Sequence, residues 1–462
     1  MAQYDLGIIG AGPAGYAAAL RGAKNGLKVC IAEKNVPGGV CVNRGCIPSK
    51  SLIHSASLLN GLDEIAKFNV TSDKSNLDFS KIHKKARKNS ERLSRGLSAL
   101  FKQNNIDFID KAAKLNADGD IQTEDGKTIS ASSVLIATGS EPKQIPFAPF
   151  DGERVHSADS FLLDGTLPSE IIILGGGVIG CEFAYILSSM GTKVTIVEML
   201  PSILPNVDKE VRNIMEKNFK KKKITVHTDT KASGLEYADS GIKLQTEDNN
   251  IEADMLLVAV GRTPNTSELG LEKLNLQIKN GFIQTGEYYE TDTPGIYAAG
   301  DIIDTPQLAH LASREGEIVA DYISGNHPEK RVAFEDVPFA VYTEPEVAHF
   351  GLTEEQLQEK GISYEKEVFQ YRGIGKAVAT GQTEGIIKIL YNTDNIESEE
   401  DREIISVHMA GSNATELIHE YLLAAQLNEG LETIHHTLHA HPTLSEGIWE
   451  SASACIDRGL HV

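Results

Sequence analysis

Apolar residues along this chain come in short runs closed by glycine, and the first such run sets a theme that returns. Tyr4 to Ile9 is apolar apart from Asp5 and Gly7 and leads into Gly10-Ala-Gly-Pro-Ala-Gly15. An alanine-rich stretch with helical spacing continues to about Asn25, and Lys28 to Ala32 is a second apolar run that ends at Glu33. The pattern predicts strand, tight turn, helix, strand and terminal acid. It recurs with Ile171 to Leu174 as strand, Gly175-Gly-Gly-Val-Ile-Gly180 as turn, Cys181 to Met190 as helix, Lys193 to Val197 as second strand and Glu198 as acid. Gly10 to Glu33 and Gly175 to Glu198 are the same interval, so the repeat runs without slippage.

Between the two units, Ser80 to Lys102 predicts a basic helix, and Ile106 to Ile129 predicts short strands and turns. Val134 to Gly139 predicts a strand ending in a glycine turn, and Pro142, Pro146 and Pro149 mark the exit from a first domain. Met255 to Val260 and Gly261-Arg-Thr-Pro264 close the second unit, and Thr293 to Asp301 predicts one more strand whose end meets a ligand. From about Phe334, strand-like runs precede amphipathic helices such as Thr415 to Leu427, the texture of a separate α+β domain. The acid-rich stretch 392–402 is expected to be an exposed loop.

Length and charge narrow the function. A chain of 462 residues is too long for one core and suggests roughly three domains. A net charge of −21 argues against nucleic-acid and anionic-membrane partners. No apolar run approaches the roughly 18 residues of a membrane span, and the Met-Ala-Gln-Tyr-Asp start lacks a basic region, so a cytoplasmic location is expected. The five lysines within 217–223 are read as a solvated helix end.

Each glycine motif suits a dinucleotide. The first glycine permits the tight turn, the second lets the backbone approach the pyrophosphate, and the third lets the helix pack close to the strand. The helix N-terminus faces the phosphates, and the acid accepts hydrogen bonds from ribose hydroxyls. Two such sites suggest FAD and a nicotinamide nucleotide. Glu198 favours NAD over NADP, because a carboxylate repels a 2′-phosphate and Met199 and Leu200 follow where arginine would be expected.

Five cysteines do not make a disulfide scaffold, but Cys41 and Cys46 are close and follow directly after Glu33. The spacing alone admits half of a zinc site or a redox pair. The other cysteines, Cys30, Cys181 and Cys455, are isolated, which favours a thiol pair that exchanges two electrons with a flavin. A helix from Pro48 onward would supply positive character to a thiolate. Arg44, between the cysteines, either favours that thiolate or faces solvent. His435 and His439 are spaced to share a metal on a helix but lack a third ligand, so no metal is expected. His441, oriented by Glu446, is the candidate general acid–base for thiol–disulfide exchange.

Six segments carry a resemblance over nearly the whole chain: GGVCVNRGCIPSK (38–50), GGGVIGCEFA (175–184), GRTPNT (261–266), TPGIYAAGD (293–301), LAH (308–310) and HAHPTLSE (439–446). In order and content they resemble the class I flavoprotein disulfide reductases, most closely the branch that oxidises dihydrolipoyl groups. The resemblance implies an α/β fold with two Rossmann-like dinucleotide-binding domains plus an α+β C-terminal dimerisation domain. Its expected segments are 1–142 and 265–335 for FAD, 143–264 for NAD and 336–462 for dimerisation.

The same resemblance implies Cys41 as the interchange thiol, Cys46 as the flavin-proximal thiol, and Lys50 near the flavin, paired with Glu182. Residues matching FAD-binding positions are Gly10, Gly12, Gly15, Glu33, Lys34, Lys50, Ala113, Thr138, Gly139, Ser140, Asp301, Leu308, Ala309 and His310. Gly175, Gly177, Ile179, Gly180, Glu198, Ala232 and Gly261 match the NAD site. His441 and Glu446 match a dyad that in this family comes from the other subunit, which implies a homodimer. The implied partner is the lipoyl domain of a 2-oxoacid dehydrogenase or glycine-cleavage complex. Glutathione reductase-like enzymes usually have basic residues after the Glu198 position, mercuric reductase carries a vicinal cysteine pair near its C-terminus, and soluble transhydrogenase lacks the disulfide; this chain departs from all three. Val40, Arg44, Phe350 and Gly411-Ser-Asn413 are less usual for the family. The alternative enzyme is a flavin-dependent reductase of another disulfide or persulfide, and the alternative of another class is a structural subunit of a multienzyme complex.

Overall fold

The computed structural model describes residues 2–71, 74, 76–239, 241–247, 249–392, 402–427 and 430–461. The acidic stretch expected as a loop at 392–402 falls outside these but for its two end residues. The chain forms two compact units, one of 1–52, 78–166 and 260–332, the other of 53–77, 167–259 and 333–462.

The first unit is built on a five-stranded parallel sheet in the order Ile296–Ala298, Ala131–Ile136, Tyr4–Ile9, Val29–Glu33, Asp107–Asp110. Central strands of such a sheet are covered on both faces, which is why Leu6, Ile8, Ile31, Leu135 and Ile136 are wholly buried. Four helices of this part of the chain matter below: α1 (Pro13–Lys24), α2 (Gly39–Arg44), α3 (Cys46–Ala66) and α4 (Phe79–Gln103). The basic helix expected over 80–102 is α4. Pro142, expected at a domain exit, pairs in a short antiparallel ladder with Arg262.

The second unit repeats the parallel scheme with strands Thr225–His227, Lys193–Val197, Glu170–Leu174 and Met255–Val258 in that order. Its C-terminal part is a five-stranded antiparallel sheet, Phe339–Val341, Glu346–Phe350, Ile404–Gly411, Ile386–Tyr391, Glu365–Gln370, with helices Ala414–Leu427 and Glu446–Cys455 on it. The α/β class with two Rossmann-like portions and an α+β C-terminal portion is as the sequence implied. Among the described residues no helix is long and apolar enough to cross a membrane.

A buried charge cluster holds the second unit together. The Lys388 side chain is 1% exposed, and its Nζ lies 2.9 Å from Asp208 Oδ2 and 3.0 Å from Glu210 Oε1, with Glu354 also bound. Asp208 caps the helix Lys209–Lys221, and Glu354 opens the helix Glu354–Lys360. Burial alone would raise both carboxyls. His408 and Lys388 instead hold Asp208 below its ordinary value, and Lys388, Lys366 and Tyr364 hold Glu354 down to about 2. Replacing Lys388 by Met leaves the wholly buried Asp208 carboxylate without its cation, while Glu210 and Glu354 keep Lys366, and is expected to cost about 3–5 kcal/mol at neutral pH. A depressed carboxyl stabilises above its ordinary value and stops doing so as pH falls through its folded value. The gap between wild type and K388M in guanidinium melts should therefore narrow as pH drops from 4.5 toward about 2.

Candidate active site

The first glycine turn forms as the motif requires. Gly10 leaves its strand at φ +101°, a left-handed conformation in which a side chain would also strike Ala137 O. Gly12 caps α1, and a Cβ on Gly15 would sit 1.9 Å from Gly10 O, so only glycine lets the helix pack this close. Glu33 ends its strand beside this turn. Its Oε2 accepts the Ala11 N–H at 2.8 Å and its Oε1 the Asn35 N–H at 2.9 Å, which leaves each oxygen a lone pair for a ribose hydroxyl. Lys34 follows it. Asp301 lies just beyond the strand Ile296–Ala298 and accepts the Ser140 O–H at 2.6 Å. Thr138 donates to Asn265 O, Ala113 opens the strand Ala113–Leu115, Gly139 turns at φ +68°, and Leu308 caps the helix that begins Ala309-His310. A helix N-terminus fronted by glycines, with an acid at the second strand end and another at the last, fits FAD. All these residues belong to the first unit.

Sequence reasoning missed Glu315. Its side chain is wholly buried, accepts the Gly300 N–H at 2.6 Å and so braces the residue before Asp301. Burial pushes its carboxyl up to about 7. A buried acid on a helix has no sequence signal distinct from a surface one.

The cysteines sit on two helices rather than before one. Cys41 lies on α2, which the apolar pattern did not announce, and Cys46 is the first residue of α3, two positions ahead of the start expected at Pro48. A helix N-terminus stabilises a thiolate through its unpaired N–H groups and dipole. The Cys41 thiol is raised well above its ordinary value by its hydrogen bond with Cys46, then by burial, with Lys50 opposing.

Arg44 is paired, with its side chain 39% exposed. Its Nε lies 3.4 Å from Asp159 Oδ2, and the other Asp159 oxygen takes Arg262 Nη1 at 3.0 Å. Arg262 Nε donates to Ser140 Oγ at 2.7 Å, and Ser140 donates in turn to Asp301. A charged relay thus ties the cysteine helix to the acid at the FAD position. Arg262 was within reach of sequence reasoning, since it follows Gly261 in a quoted motif. Asp159 carried no signal.

The second unit reproduces the first cradle almost atom for atom. Gly175 turns at φ +110°, Gly177 caps the helix Val178–Ser189 that carries Ile179, and a Cβ on Gly180 would lie 2.0 Å from Gly175 O. Glu198 accepts the Gly176 N–H at 2.6 Å and the Leu200 N–H at 2.8 Å, as Glu33 does from its own turn. Ala232 opens the strand Ala232–Ala238, whereas Gly261 belongs to the first unit, where it accepts the Lys143 N–H. The cradle residues of the second unit fit NAD. Replacing Glu198 by Ala should raise KM for NAD⁺ about tenfold with kcat little changed, since it removes binding common to ground and transition states. Steady-state kinetics at saturating dithiol would show it.

Glu182 is buried in this unit and accepts the Tyr342 N–H at 3.1 Å. Lys50 lies in the other unit. Near the C-terminus, His441 Nδ1–H donates to Glu446 Oε1 at 2.7 Å, and Glu446 Oε2 accepts the Thr443 N–H at 2.8 Å. Burial would raise Glu446, but the bonds from His441 and Thr443 outweigh it and hold the carboxyl below its ordinary value. With Nδ1 donating to a carboxylate, Nε2 of the neutral ring carries the lone pair, and the side chain is 77% exposed. The metal alternative for His435 and His439 dissolves. The helix Gly430–His436 ends between them, His435 bonds Ser453 Oγ and His439 bonds Glu420.

Two nucleotide cradles and a thiol pair at a helix N-terminus define a flavin- and nicotinamide-dependent oxidoreductase of dithiols and disulfides. The chain belongs to the pyridine nucleotide-disulphide oxidoreductase family, whose model matches residues 4–316, with the family's dimerisation domain matching 337–452. It is 36% identical to the dihydrolipoyl dehydrogenase of Thermus scotoductus over 470 residues, covering 100% of this chain and 99% of that protein. It is 34% identical to the dihydrolipoyl dehydrogenase of Bacillus subtilis over 469 residues, covering 100% and 98%. Among solved structures, LpdA of Mycobacterium tuberculosis superposes with a TM-score of 0.90 at 26% identity, covering 97% of this chain and 99% of that one. The HOCl-induced flavoprotein disulfide reductase RclA of Escherichia coli superposes at 0.86 and 23% identity over 97% and 99%, a likeness of fold alone. The protein is accordingly an FAD-dependent enzyme of the dithiol–disulfide couple that uses NAD(H).

Proposed function

We propose that the protein is a dihydrolipoyl dehydrogenase: it oxidises protein-bound dihydrolipoyl groups to lipoyl and reduces NAD⁺ to NADH, working as a homodimer. The observation that carries this reading is the His441–Glu446 hydrogen bond, which leaves an exposed imidazole lone pair with no partner among the described residues. A dithiol substrate needs such a base, because only its thiolate attacks a disulfide.

In the oxidised protein Cys41 and Cys46 form the disulfide. His441 Nε2 takes a proton from one substrate thiol, and the resulting thiolate attacks Cys41, displacing the Cys46 thiolate at the N-terminus of α3. The second substrate thiol, deprotonated in turn, closes on the first sulfur and releases Cys41, which leaves a lipoyl disulfide and two enzyme thiols. FAD, when bound, supplies the two-electron route from that dithiol to NAD⁺. Glu446 holds the ring in the tautomer the step needs and stabilises the imidazolium. Gly10, Gly12, Gly15, Glu33 and Asp301 would hold FAD, and Gly175, Gly177, Gly180 and Glu198 would hold NAD.

Anaerobic addition of dihydrolipoamide to the purified flavoprotein should produce a long-wavelength thiolate band, and NAD⁺ should then discharge it with formation of NADH. NADH-dependent reduction of glutathione disulfide or mercuric ion, with dihydrolipoamide inert, would overturn the reading in favour of another disulfide substrate.

A further inference from the structure

We infer that the outer face of α4 is the docking surface for an acidic carrier domain that presents the dithiol; this rests on the reaction proposed above and names its partner. In a chain of net charge −21, α4 carries eight lysines and arginines against a single acid, Glu91. Its buried side is Phe79, Ala86, Ser90, Ser94 and Phe101. Lys84, Lys88, Arg92 and Arg95 follow at helical spacing on the opposite side, with Lys81 and Lys85 beside them, and all six are exposed.

This ridge differs from an ordinary solvated charge run in two ways. The first is that it is uncompensated. Lys81 has Asp78 at 3.5 Å, but Lys84, Lys85, Lys88 and Arg92 have no carboxylate within 4.0 Å among the described residues. Like charges three and four apart repel along a helix, so the arrangement weakens α4 itself. The lysine run at 217–223 is treated otherwise, with Lys221 paired to Glu384 and Lys222 to Glu344.

The second is its placement. Side chains of α4 away from the ridge bond the redox segment before, between and after the cysteines. Ser94 donates to Pro37 O at 2.8 Å, Arg87 donates to Asn43 O, and Asn89 donates to Ser51 Oγ at 3.0 Å. These bonds fix α4, and the ridge on its outer face, relative to the segment that carries Cys41 and Cys46. A large partner that must deliver a dithiol there meets the ridge, and a small free dithiol does not. Charge complementarity selects an acidic protein domain, and its main effect is on encounter rate and orientation.

The test compares free dihydrolipoamide with the same group borne on an acidic lipoyl domain, using the holoenzyme. For the carrier, kcat/KM should fall about tenfold between low and high salt, while the free dithiol is nearly indifferent. The variant K84E/K88E/R92E should raise KM for the carrier about tenfold and leave the free dithiol within about twofold, with the neutral K84Q/K88Q/R92Q intermediate. Reversal at Lys217 and Lys220 should change neither. Equal losses with both substrates, or unchanged carrier kinetics in the α4 variants, overturn the proposal. So does saturable duplex RNA binding that the reversal abolishes while carrier kinetics stay intact. A wild-type holoenzyme that oxidises neither form sinks the proposed reaction and the docking surface with it, and is told apart from the other outcomes by the free-dithiol arm.

Discussion

Replacement of Cys41 by Ser is expected to lower dihydrolipoamide-dependent NAD⁺ reduction by at least about 10³-fold, the scale of losing a nucleophile that acts as part of a unit. A hydroxyl at this position can form no disulfide with Cys46, so the substrate has nothing to attack and no bond chemistry remains for the exchange. The loss should be confined to that half of the reaction. NADH-dependent reduction of an artificial dye bypasses the cysteines and should stay within about twofold of wild type, which shows that the cofactor sites are intact. Cys46→Ser is equally inactive with the dithiol, but the two variants separate spectroscopically. With Cys46 retained at the N-terminus of α3, C41S should keep a long-wavelength thiolate band, and C46S should lack it. A C41S protein that still turns over dihydrolipoamide at more than a few per cent would reassign the interchange thiol.

His441→Gln is expected to cost about 10²–10⁴ in kcat/KM for dihydrolipoamide, the range for losing a positioned general base. The effect should shrink at alkaline pH, where more of the substrate is already thiolate and needs no base. Glu446→Gln tests the orientation separately. The native carboxyl is held below its ordinary value of 4.5, so it is ionised at every pH at which the enzyme is assayed. An amide removes that charge but keeps an acceptor oxygen for the ring N–H, so the loss in kcat/KM should be smaller, about tenfold to hundredfold. An E446Q enzyme within about twofold of wild type in kcat/KM would remove Glu446 from the proton-transfer step.

Much of the candidate site was readable before any tertiary contact was known, because a dinucleotide cradle is a local object. The turn from Gly10 to Gly15, the helix it caps and Glu33 all fall within one strand–helix–strand unit, and so do Gly175 to Gly180 and Glu198. The steric reason for the third glycine, the approach of Gly15 to Gly10 O, is itself a contact across five residues. The pair His441 and Glu446 was legible for the same cause, since five positions of chain suffice to close their hydrogen bond. Where the reading slipped it slipped at element ends. The short α2 has too few residues for a period to declare itself, and the start of α3 at Cys46 depends on how Gly45 breaks the chain.

Groups that touch through space rather than along the chain had no such signal. Arg44 looked like a choice between thiolate and solvent, and only folding brought Asp159 to it and then Arg262, Ser140 and Asp301 in succession. The buried Glu315 and the wholly enclosed Lys388 were in the same position, since a charge is marked as interior only by what packs around it. The basic helix was predicted as a helix, but its hydrogen bonds to Pro37, Asn43 and Ser51 made it a neighbour of the cysteines. By itself, then, the sequence determined the two nucleotide cradles, the closeness of Cys41 to Cys46 and that of His441 to Glu446, because each is set by spacing within a few turns of chain. The tertiary structure alone decided which charges are buried, which are paired and which face outward, because those energies depend on desolvation and on partners that only folding brings near.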